Sequence, residues 1–299
     1  MDFEPSLVVY HADCADGFGA AWACHQRFGN RPKYQAAHYG SPPPVEMFRG
    51  QRVLMMDVSF PREALLERMG VADQFLLIDH HQTAFEQVGD LPNVCFDMSA
   101  SGASLAWRLL HPGQPLPALL AAVEDRDLWK FRLPDSKNIL RALDAQPMTF
   151  EAWTQFAQRL IQDLPAVLKE AKLLENEYER HLALIAQEAR PVEQQGWCGL
   201  CCNAPHAFAS DLGNRFYERE GVDFGLTWHA RKDGQFRCSW RTDARGPVRA
   251  LDLASEWGGG GHPNAAGAVL DAATFVRLLA AIEPRQAPVL KRESFGPKA

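Results

Sequence analysis

The feature that most constrains this chain is a series of short apolar runs in its first half, each free of the polar alternation of a half-exposed strand. Residues 7–10, 53–56 and 75–78 are the clearest runs, and residues 93–98 form a fourth candidate. Helical patterns separate the runs, as in βα units. Strands that are apolar on both faces are typical of a parallel sheet covered by helices on each side. We therefore predict an α/β fold with a parallel, Rossmann-like sheet in its amino-terminal domain.

A long helix is predicted to connect this domain to a second one. Residues 164–189 have a helical composition, and Pro191 and Gly196 follow at their end. The boundary is therefore expected near residue 190. It divides the chain into residues 1–190, including the helical connector, and a smaller α/β domain over residues 191–299. Each part is long enough to bury a core of its own.

Composition limits the classes of partner. A formal net charge of -6 argues against a protein that coats long duplex nucleic acid, because such a protein needs an excess of lysine and arginine. The charge is compatible with a small phosphorylated ligand held by metal ions. Residues 1–5 lack a secretory signal, no apolar stretch has membrane-spanning length, and the 7 cysteines suit a reducing compartment. We therefore expect a cytoplasmic protein without membrane contact.

Acidic and histidine side chains directly follow three of the apolar runs. These residues are His11, Asp13, Asp16, Asp57, Asp79, His80 and His81. Because the carboxyl ends of parallel strands meet at one edge of a sheet, where α/β folds place ligands, we expect the side chains to converge. A polar residue that ends a strand is usually a turn former or a helix cap, but three converging clusters favour a cation site. Mixed carboxylate and imidazole ligation suits Mn²⁺ better than Mg²⁺, and the number of ligands suits two ions.

Two later segments add candidate binding residues. The acidic stretch around Asp125 supplies further carboxylates, and a glycine run precedes His262 and Asn264. Glycines allow close backbone approach and offer N–H groups to phosphate oxygens. Arg241, at the end of a predicted strand, has a guanidinium suited to bidentate phosphate pairing. The alternative to phosphate binding is a flexible loop for the glycine run and a solvated surface charge for Arg241.

The order of these motifs resembles the DHH phosphoesterase family with its DHH-associated carboxyl-terminal domain. The resemblance rests on Asp79-His80-His81 after an apolar strand, on His11 with Asp16 near the start, and on the late glycine-histidine run. It covers nearly the whole chain and implies two Mn²⁺ ions in a cleft between domains, with Mg²⁺ or Co²⁺ as substitutes.

The resemblance also implies roles for individual residues. The implied metal ligands are His11, Asp13, Asp16, Asp57, His80 and Asp125. His81 is implied beside the scissile phosphate with Asp79 as its support, so both are candidate catalytic residues. The implied substrate contacts are Arg241, Gly259, Gly260, Gly261, His262 and Asn264.

The first motif, residues 11–17, departs from the family pattern. Many members have two aspartates separated by one residue, whereas Asp13 and Asp16 stand three apart here. Asp16 is the safer ligand, and Asp13 is either a second ligand or a hydrogen-bond acceptor behind the ligands.

The resemblance implies hydrolysis of phosphoester bonds. The acidic balance and the lack of added nucleic-acid modules favour short oligonucleotides or small nucleotide phosphates, as for an exonuclease-like nanoRNase or a 3′-phosphoadenosine 5′-phosphate phosphatase. The enzymatic alternatives are a cyclic-dinucleotide phosphodiesterase and an inorganic pyrophosphatase. The alternative of another class is a non-catalytic nucleotide or RNA sensor with a degenerate metal site. A homodimer is compatible with the sequence, which does not fix the number of subunits.

Overall fold

The computed structural model describes residues 3–282. The chain divides into two compact units, residues 1–175 and 176–299. The division falls inside the long helix α8, Leu164–Ala186, which was predicted as the connector. The predicted boundary near residue 190 therefore lies just beyond the end of this helix.

A five-stranded parallel sheet forms the centre of the first unit. Its strands are β1 (Leu7–His11), β2 (Lys33–Ala37), β3 (Arg52–Met56), β4 (Gln74–Asp79) and β5 (Val94–Phe96). The strand order is β2-β1-β3-β4-β5, and every pairing is parallel. Strand β2 lies on one side of β1 and strand β3 lies on the other. The boundary between β1 and β3 is therefore the topological switch point of the sheet. Ligands of open α/β sheets bind beside such a point, at the carboxyl ends of the strands.

Helices cover both faces of this sheet. They are α1 (Ala15–Phe28), α2 (Arg62–Val71), α3 (Gln82–Val88), α4 (Gly102–Leu110), α5 (Ala118–Asp127), α6 (Ser136–Asp144) and α7 (Phe150–Gln162), followed by α8. Neighbouring strand residues point to opposite faces, and Val8 accordingly lies in one buried cluster and Leu7 in another. Because each face has its own core, the strands are apolar without alternation. The predicted parallel α/β domain is confirmed.

The second unit is built on a mixed six-stranded sheet. Its strands are β6 (Arg190–Gln194), β7 (Trp197–Asn203), β8 (Phe224–Ala230), β9 (Phe236–Thr242), β10 (Gly260–His262) and β11 (Ala265–Leu270), in the order β10-β11-β9-β8-β7-β6. Only the β7–β8 pairing is parallel among the described strands of this sheet. The helices are α9 (His206–Tyr217), α10 (Ala250–Ser255) and α11 (Ala272–Ala281). Within residues 3–282, no helix has both the length and the apolar character that a bilayer crossing requires.

Candidate metal centre

Six side chains of the first unit meet at the carboxyl-terminal edge of its sheet. They form two sets of three that share no residue, His11 with Cys14 and Asp57, and Asp16 with His80 and Asp127. A further set, Asp57 with Asp79, His80 and His81, overlaps both, and within each set one potential ligand atom per residue lies within 4.8 Å of the others. His11 ends β1, Asp57 follows β3 and His80 follows β4, so the sheet itself brings them together. The predicted convergence of strand-end residues at one edge is thus present for these three.

Asp57 joins the two sets. Its Oδ2 lies 3.4 Å from His11 Nδ1 and its Oδ1 lies 3.2 Å from His80 Nε2. The side chain is 1% exposed, yet neither oxygen accepts a hydrogen bond within the described part of the chain. Burial favours the neutral carboxyl, but the contacts with His11 and His80 outweigh it and hold the pKa of Asp57 well below its ordinary value. A buried carboxylate with orphaned oxygens between two imidazoles fits a ligand that bridges two cations.

The other carboxylates raise the electrostatic cost of the site. Burial, followed by the charge of Asp57, raises the pKa of Asp16 above the ordinary value. Burial also raises the pKa of Asp127, where the charge of His80 opposes it and the charge of Asp57 adds to it. His80 Nε2 lies 3.5 Å from Asp16 Oδ2 and 3.5 Å from Asp127 Oδ2. Burial opposes the charge of His80, but its contact with Asp57 and the neighbouring carboxylates raise its pKa to about 10. The raised pKa values mean that the metal-free cluster holds protons more tightly than isolated side chains do, and divalent cations are suited to replace them.

Asp16 has a structural function in addition to its place in the cluster. Its Oδ2 accepts a hydrogen bond from Gly102 N at 2.6 Å and its Oδ1 accepts one from Ala103 N at 2.9 Å. These amides open helix α4, where a carboxylate satisfies free N–H groups and complements the helix dipole. Asp16 is thus fixed in position by the helix while its Oδ2 still faces His80.

His81 lies beside this cluster and is held by Asp79. Asp79 is fully buried, and its Oδ1 accepts hydrogen bonds from His80 N at 2.7 Å and His81 N at 3.2 Å. The same oxygen lies 2.7 Å from His81 Nδ1. Burial disfavours the charged imidazole, but the bond to Asp79 and the charges of Asp79 and Asp57 raise the pKa of His81 above its ordinary value. The contact with Asp79 therefore favours the protonated form of the imidazole at the edge of the cluster.

Tyr39 was not singled out in the sequence. Its Oη donates to the backbone oxygen of Asp57 at 3.0 Å and lies 2.9 Å from His81 Nε2. Tyr39 therefore connects the residue between the two donor sets with the candidate catalytic histidine. A tyrosine after the polar edge strand β2 carries no sequence signal for such a function.

Asp125, predicted as a metal ligand, is not among the side chains that meet at this edge in the described part of the chain. Its Oδ1 accepts from Arg132 N at 2.9 Å, and its Oδ2 accepts from Leu133 N at 3.1 Å and from Ser136 Oγ at 2.6 Å. These bonds tie the end of α5 to the loop that follows. Residues two apart on a helix face nearly opposite directions, so Asp127 contributes to the cluster in its place.

Asp13 is likewise outside the cluster. Its backbone is left-handed, with φ +53°, and its side chain is 79% exposed, with Oδ2 3.8 Å from His38 Nε2. Cys14, the next residue, carries the potential ligand atom that the first motif contributes beside His11. The sequence prediction did not consider this thiol. Burial, followed by the charge of Asp57, raises the pKa of Cys14 well above the ordinary value, which keeps it a neutral thiol in the metal-free protein.

Two glycines allow the cluster to be this compact. A Cβ on Gly102 would lie 2.6 Å from Asp57 Cβ and 2.9 Å from Asp57 Oδ1. A Cβ on Gly17 would overlap the backbone oxygen of His11. Both positions therefore require glycine for contact reasons, without any need for positive φ.

The predicted substrate residues of the second unit lie at one end of its sheet. Arg241 on β9 pairs with Ala265 on β11, and Ala265 pairs with His262 on β10. Asn264 follows in the turn, and its Oδ1 accepts from Thr242 Oγ1 at 3.3 Å. Arg241 donates to Trp240 O and Ser210 Oγ, both at 2.8 Å, and burial lowers its pKa to about 10.

The glycine run differs from the predicted loop. Gly260 and Gly261 belong to the edge strand β10, whereas Gly259 precedes it and donates to Ala254 O at 3.0 Å. A Cβ on Gly259 would overlap the backbone oxygen of Gly267. Backbone packing between neighbouring segments therefore accounts for at least one of these glycines.

Known proteins with similar folds provide an independent comparison. The DHH domain of a member of the s1p family of ribosomal proteins matches 95% of this chain and 88% of its own length, with a TM-score of 0.60 at 13% identity. RecJ from Thermus thermophilus in complex with Mn²⁺ matches 93% of this chain and 51% of its own length, with a TM-score of 0.51 at 18% identity. An uncharacterized protein of Acanthamoeba polyphaga mimivirus is 29% identical over 288 residues, which cover 88% of this chain and 67% of that protein. No family model matches the chain.

Proposed function

We propose that this chain, which has the fold of the DHH-domain proteins, is a metal-dependent phosphoesterase that hydrolyses short oligonucleotides or small nucleotide phosphates. The observation that supports this most is the position of Asp57. Its buried, orphaned carboxylate lies between His11 and His80 and joins two sets of potential ligands. Both oxygens lie near imidazole nitrogens, but neither accepts a hydrogen bond of good geometry within residues 3–282, which leaves them available to a cation.

The residues at this edge of the sheet are of two kinds, metal ligands and a general acid. His11 and Asp57 would hold one cation, and Asp16, His80 and Asp127 would hold the other. When bound, the two cations lower the pKa of water and offset charge on phosphoryl oxygens. Mn²⁺ suits this mixed donor set, and the Mn²⁺ complex of the RecJ neighbour supports that choice.

His81 is proposed as the proton donor to the leaving oxygen. Asp79 Oδ1 fixes the Nδ1 side of the ring at 2.7 Å and favours the protonated imidazole. The transferable proton is then the one on Nε2. Tyr39 Oη lies 2.9 Å from Nε2 and 3.0 Å from Nδ1, so it contacts the ring without selecting one nitrogen. General acids positioned in this way contribute roughly 10²–10⁴-fold to the rate.

The substrate class is supported by the second unit. Three candidate residues lie at one end of its sheet, Arg241, His262 and Asn264. Arg241 provides a cation and His262 provides a titratable ring. Such a set suits the phosphate of a nucleotide better than an apolar ligand. The net charge of -6 favours small substrates over long duplexes.

The test is a substrate panel on protein that has been stripped with a chelator and then reloaded with Mn²⁺. The panel contains 3′-phosphoadenosine 5′-phosphate, di- to pentanucleotides, cyclic dinucleotides and pyrophosphate. Asp57→Asn is the site variant, and Asp90→Asn, at an exposed ion pair with Arg62, is the matched control. We expect Mn²⁺-dependent hydrolysis that Asp57→Asn lowers by more than about 100-fold and Asp90→Asn leaves unchanged.

The panel also separates the rival functions. Hydrolysis confined to pyrophosphate or to cyclic dinucleotides would replace the proposed substrate with one of those classes. The outward turn of Asp13 is the observation that favours a non-catalytic sensor, since it removes one expected ligand. A sensor would bind nucleotide without hydrolysing any member of the panel, and that result would contradict the proposal.

A further inference from the structure

We propose that the Sγ of Cys14 is a ligand of one of the two cations, so that the two metal positions differ in chemistry. The inference rests on the proposed function, because it assumes a metal centre at this edge of the sheet. It deepens that function by giving one position a soft donor. The ligand class that this position selects is a borderline divalent cation such as Zn²⁺ or Co²⁺.

The geometry places the thiol among known donor types. One potential ligand atom each from His11, Cys14 and Asp57 lie within 4.8 Å of one another, as the ligands of a single cation must. The second set, Asp16 with His80 and Asp127, contains only oxygen and nitrogen donors. Asp57 Oδ1 and His80 Nε2, 3.2 Å apart, connect the two sets.

The local backbone explains why the thiol faces inward. Cys14 is the N-cap residue of α1, with φ -130° and ψ 134°, and its side chain makes no capping hydrogen bond. Asp13 precedes it in a left-handed conformation, φ +53°, and turns its carboxylate outward. The first motif therefore delivers sulfur where the resemblance implied a second aspartate oxygen.

A cysteine near acidic groups is not a site by itself, and a small buried hydrophobe is its usual function. The independent observation is Asp57, whose carboxylate is 1% exposed and whose two oxygens accept no hydrogen bond within residues 3–282. That carboxylate is aimed into the same set as the thiol. A metal cation bound between the Asp57 carboxylate and the Cys14 sulfur would satisfy both groups.

Ligation changes the proton balance in a defined way. The thiol S–H bond breaks, an S–metal bond forms, and the proton leaves to solvent, so no oxidant or reductant is needed. Thiolate, imidazole and carboxylate together favour Zn²⁺ and Co²⁺ over Mg²⁺. The position formed by Asp16, His80 and Asp127 keeps the donor set that suits Mn²⁺.

The test uses Co²⁺, because a thiolate bound to Co²⁺ gives a charge-transfer absorption in the near ultraviolet that oxygen and nitrogen ligands do not give. Full-length protein stripped of metal is titrated with Co²⁺, and bound Co²⁺ is measured in parallel by equilibrium dialysis. Cys14→Ser is the site variant. Cys95→Ser removes an exposed free cysteine and is the matched control.

We expect the absorption in wild-type protein and in Cys95→Ser, and its loss in Cys14→Ser. Bound Co²⁺ without the absorption, or an absorption that survives Cys14→Ser, overturns the inference while leaving the phosphoesterase proposal intact. An absence of bound Co²⁺ and of bound Mn²⁺ overturns both. Alkylation followed by mass spectrometry gives a second measurement on wild-type protein alone: Co²⁺ should slow modification of Cys14 and leave that of Cys95 unchanged, and equal rates would count against ligation.

Discussion

Asp57 Oδ1 lies 3.2 Å from His80 Nε2, and this contact joins the two sets of donors at the edge of the parallel sheet. Asp57 also adopts a left-handed backbone conformation, φ +58°, which is uncommon for a residue with a Cβ. Strained residues of this kind persist where the surrounding structure fixes them, and they are concentrated at functional sites. Because Asp57 and His80 are in contact, the stability of the site should depend on bound metal, on pH and on substitutions at either residue.

Mn²⁺ should stabilise the folded protein, because a cation that binds only the native cluster shifts the folding equilibrium. At a concentration 100 times its Kd, a ligand of this kind adds about 2.7 kcal/mol to the free energy of unfolding. We expect thermal unfolding to show a higher Tm with Mn²⁺ than with chelator. Asp57→Asn should abolish the difference and Asp90→Asn should retain it. Equal Tm values for wild-type protein in both conditions would contradict a native metal centre.

The metal-free protein should lose stability as the pH rises through the alkaline range. The pKa of His80 is raised to about 10, against about 6.5 in an unfolded chain. A raised pKa means that the folded state holds the proton more tightly, so this contribution is full below about 6.5 and is lost as the pH rises toward 10. Asp57, whose pKa is lowered, is ionised throughout this range.

Thermal unfolding between these two pH values, with chelator and with Mn²⁺, checks that expectation. With chelator, the Tm should fall as the pH rises; with Mn²⁺ it should fall less, because the cation replaces the proton on the imidazole. His80→Gln should flatten the dependence seen with chelator, whereas His181→Gln, on the exposed side of α8, should leave it. A Tm that rises with pH in the presence of chelator would contradict the assigned direction.

Much of this fold follows from local apolar patterns. The strands of the first sheet were predictable because both of their faces are buried, as the separate clusters of Leu7 and Val8 show. Strand β2, Lys33–Ala37, gave no such signal because it is an edge strand with mostly half-buried or exposed side chains. Its discovery required the tertiary pairing with β1.

The site was most predictable where the strand ends fix it. His11, Asp57 and His80 follow from the rule that parallel strands end at one edge. Asp127 did not, because the choice between Asp125 and Asp127 depends on how helix α5 is rotated about its axis. Cys14 depends on the left-handed turn at the preceding residue, which the order of residues does not specify.

Asp79→Asn should separate the proton donor from the metal ligands. Asparagine retains an oxygen that accepts from the two backbone amides but removes the charge that raises the pKa of His81. We expect a fall in kcat of about 10–100-fold and a basic limb of the pH–rate profile that moves to lower pH. Bound Mn²⁺ should be unchanged. A pH profile that does not move would argue against His81 as the donor that Asp79 supports.

Gly102→Ala should damage the site without replacing any of the proposed metal ligands. The new Cβ would lie 2.6 Å from Asp57 Cβ, in buried surroundings where neither backbone can easily move. We expect weaker Mn²⁺ binding, measured by calorimetric titration, together with reduced hydrolysis. Gly70→Ala is the matched control, since its Cβ would meet nothing within 4 Å and its backbone is helical; it should bind Mn²⁺ normally and gain up to about 1 kcal/mol of stability. Equal affinities in the two variants would show that close packing at Asp57 is unimportant.

Asp127→Asn and Asp125→Asn should have opposite consequences, although the two residues stand two apart. Asp127 Oδ2 lies 3.5 Å from His80 Nε2, so its loss should lower bound metal and hydrolysis. Asp125 accepts three hydrogen bonds that hold the segment after α5, so its substitution should cost about 1–3 kcal/mol of stability while metal content per folded molecule stays unchanged. Metal analysis and chemical unfolding of both variants make the comparison. If Asp125→Asn loses metal and Asp127→Asn does not, the metal cluster uses Asp125 and not Asp127, although only Asp127 has an oxygen near His80 Nε2.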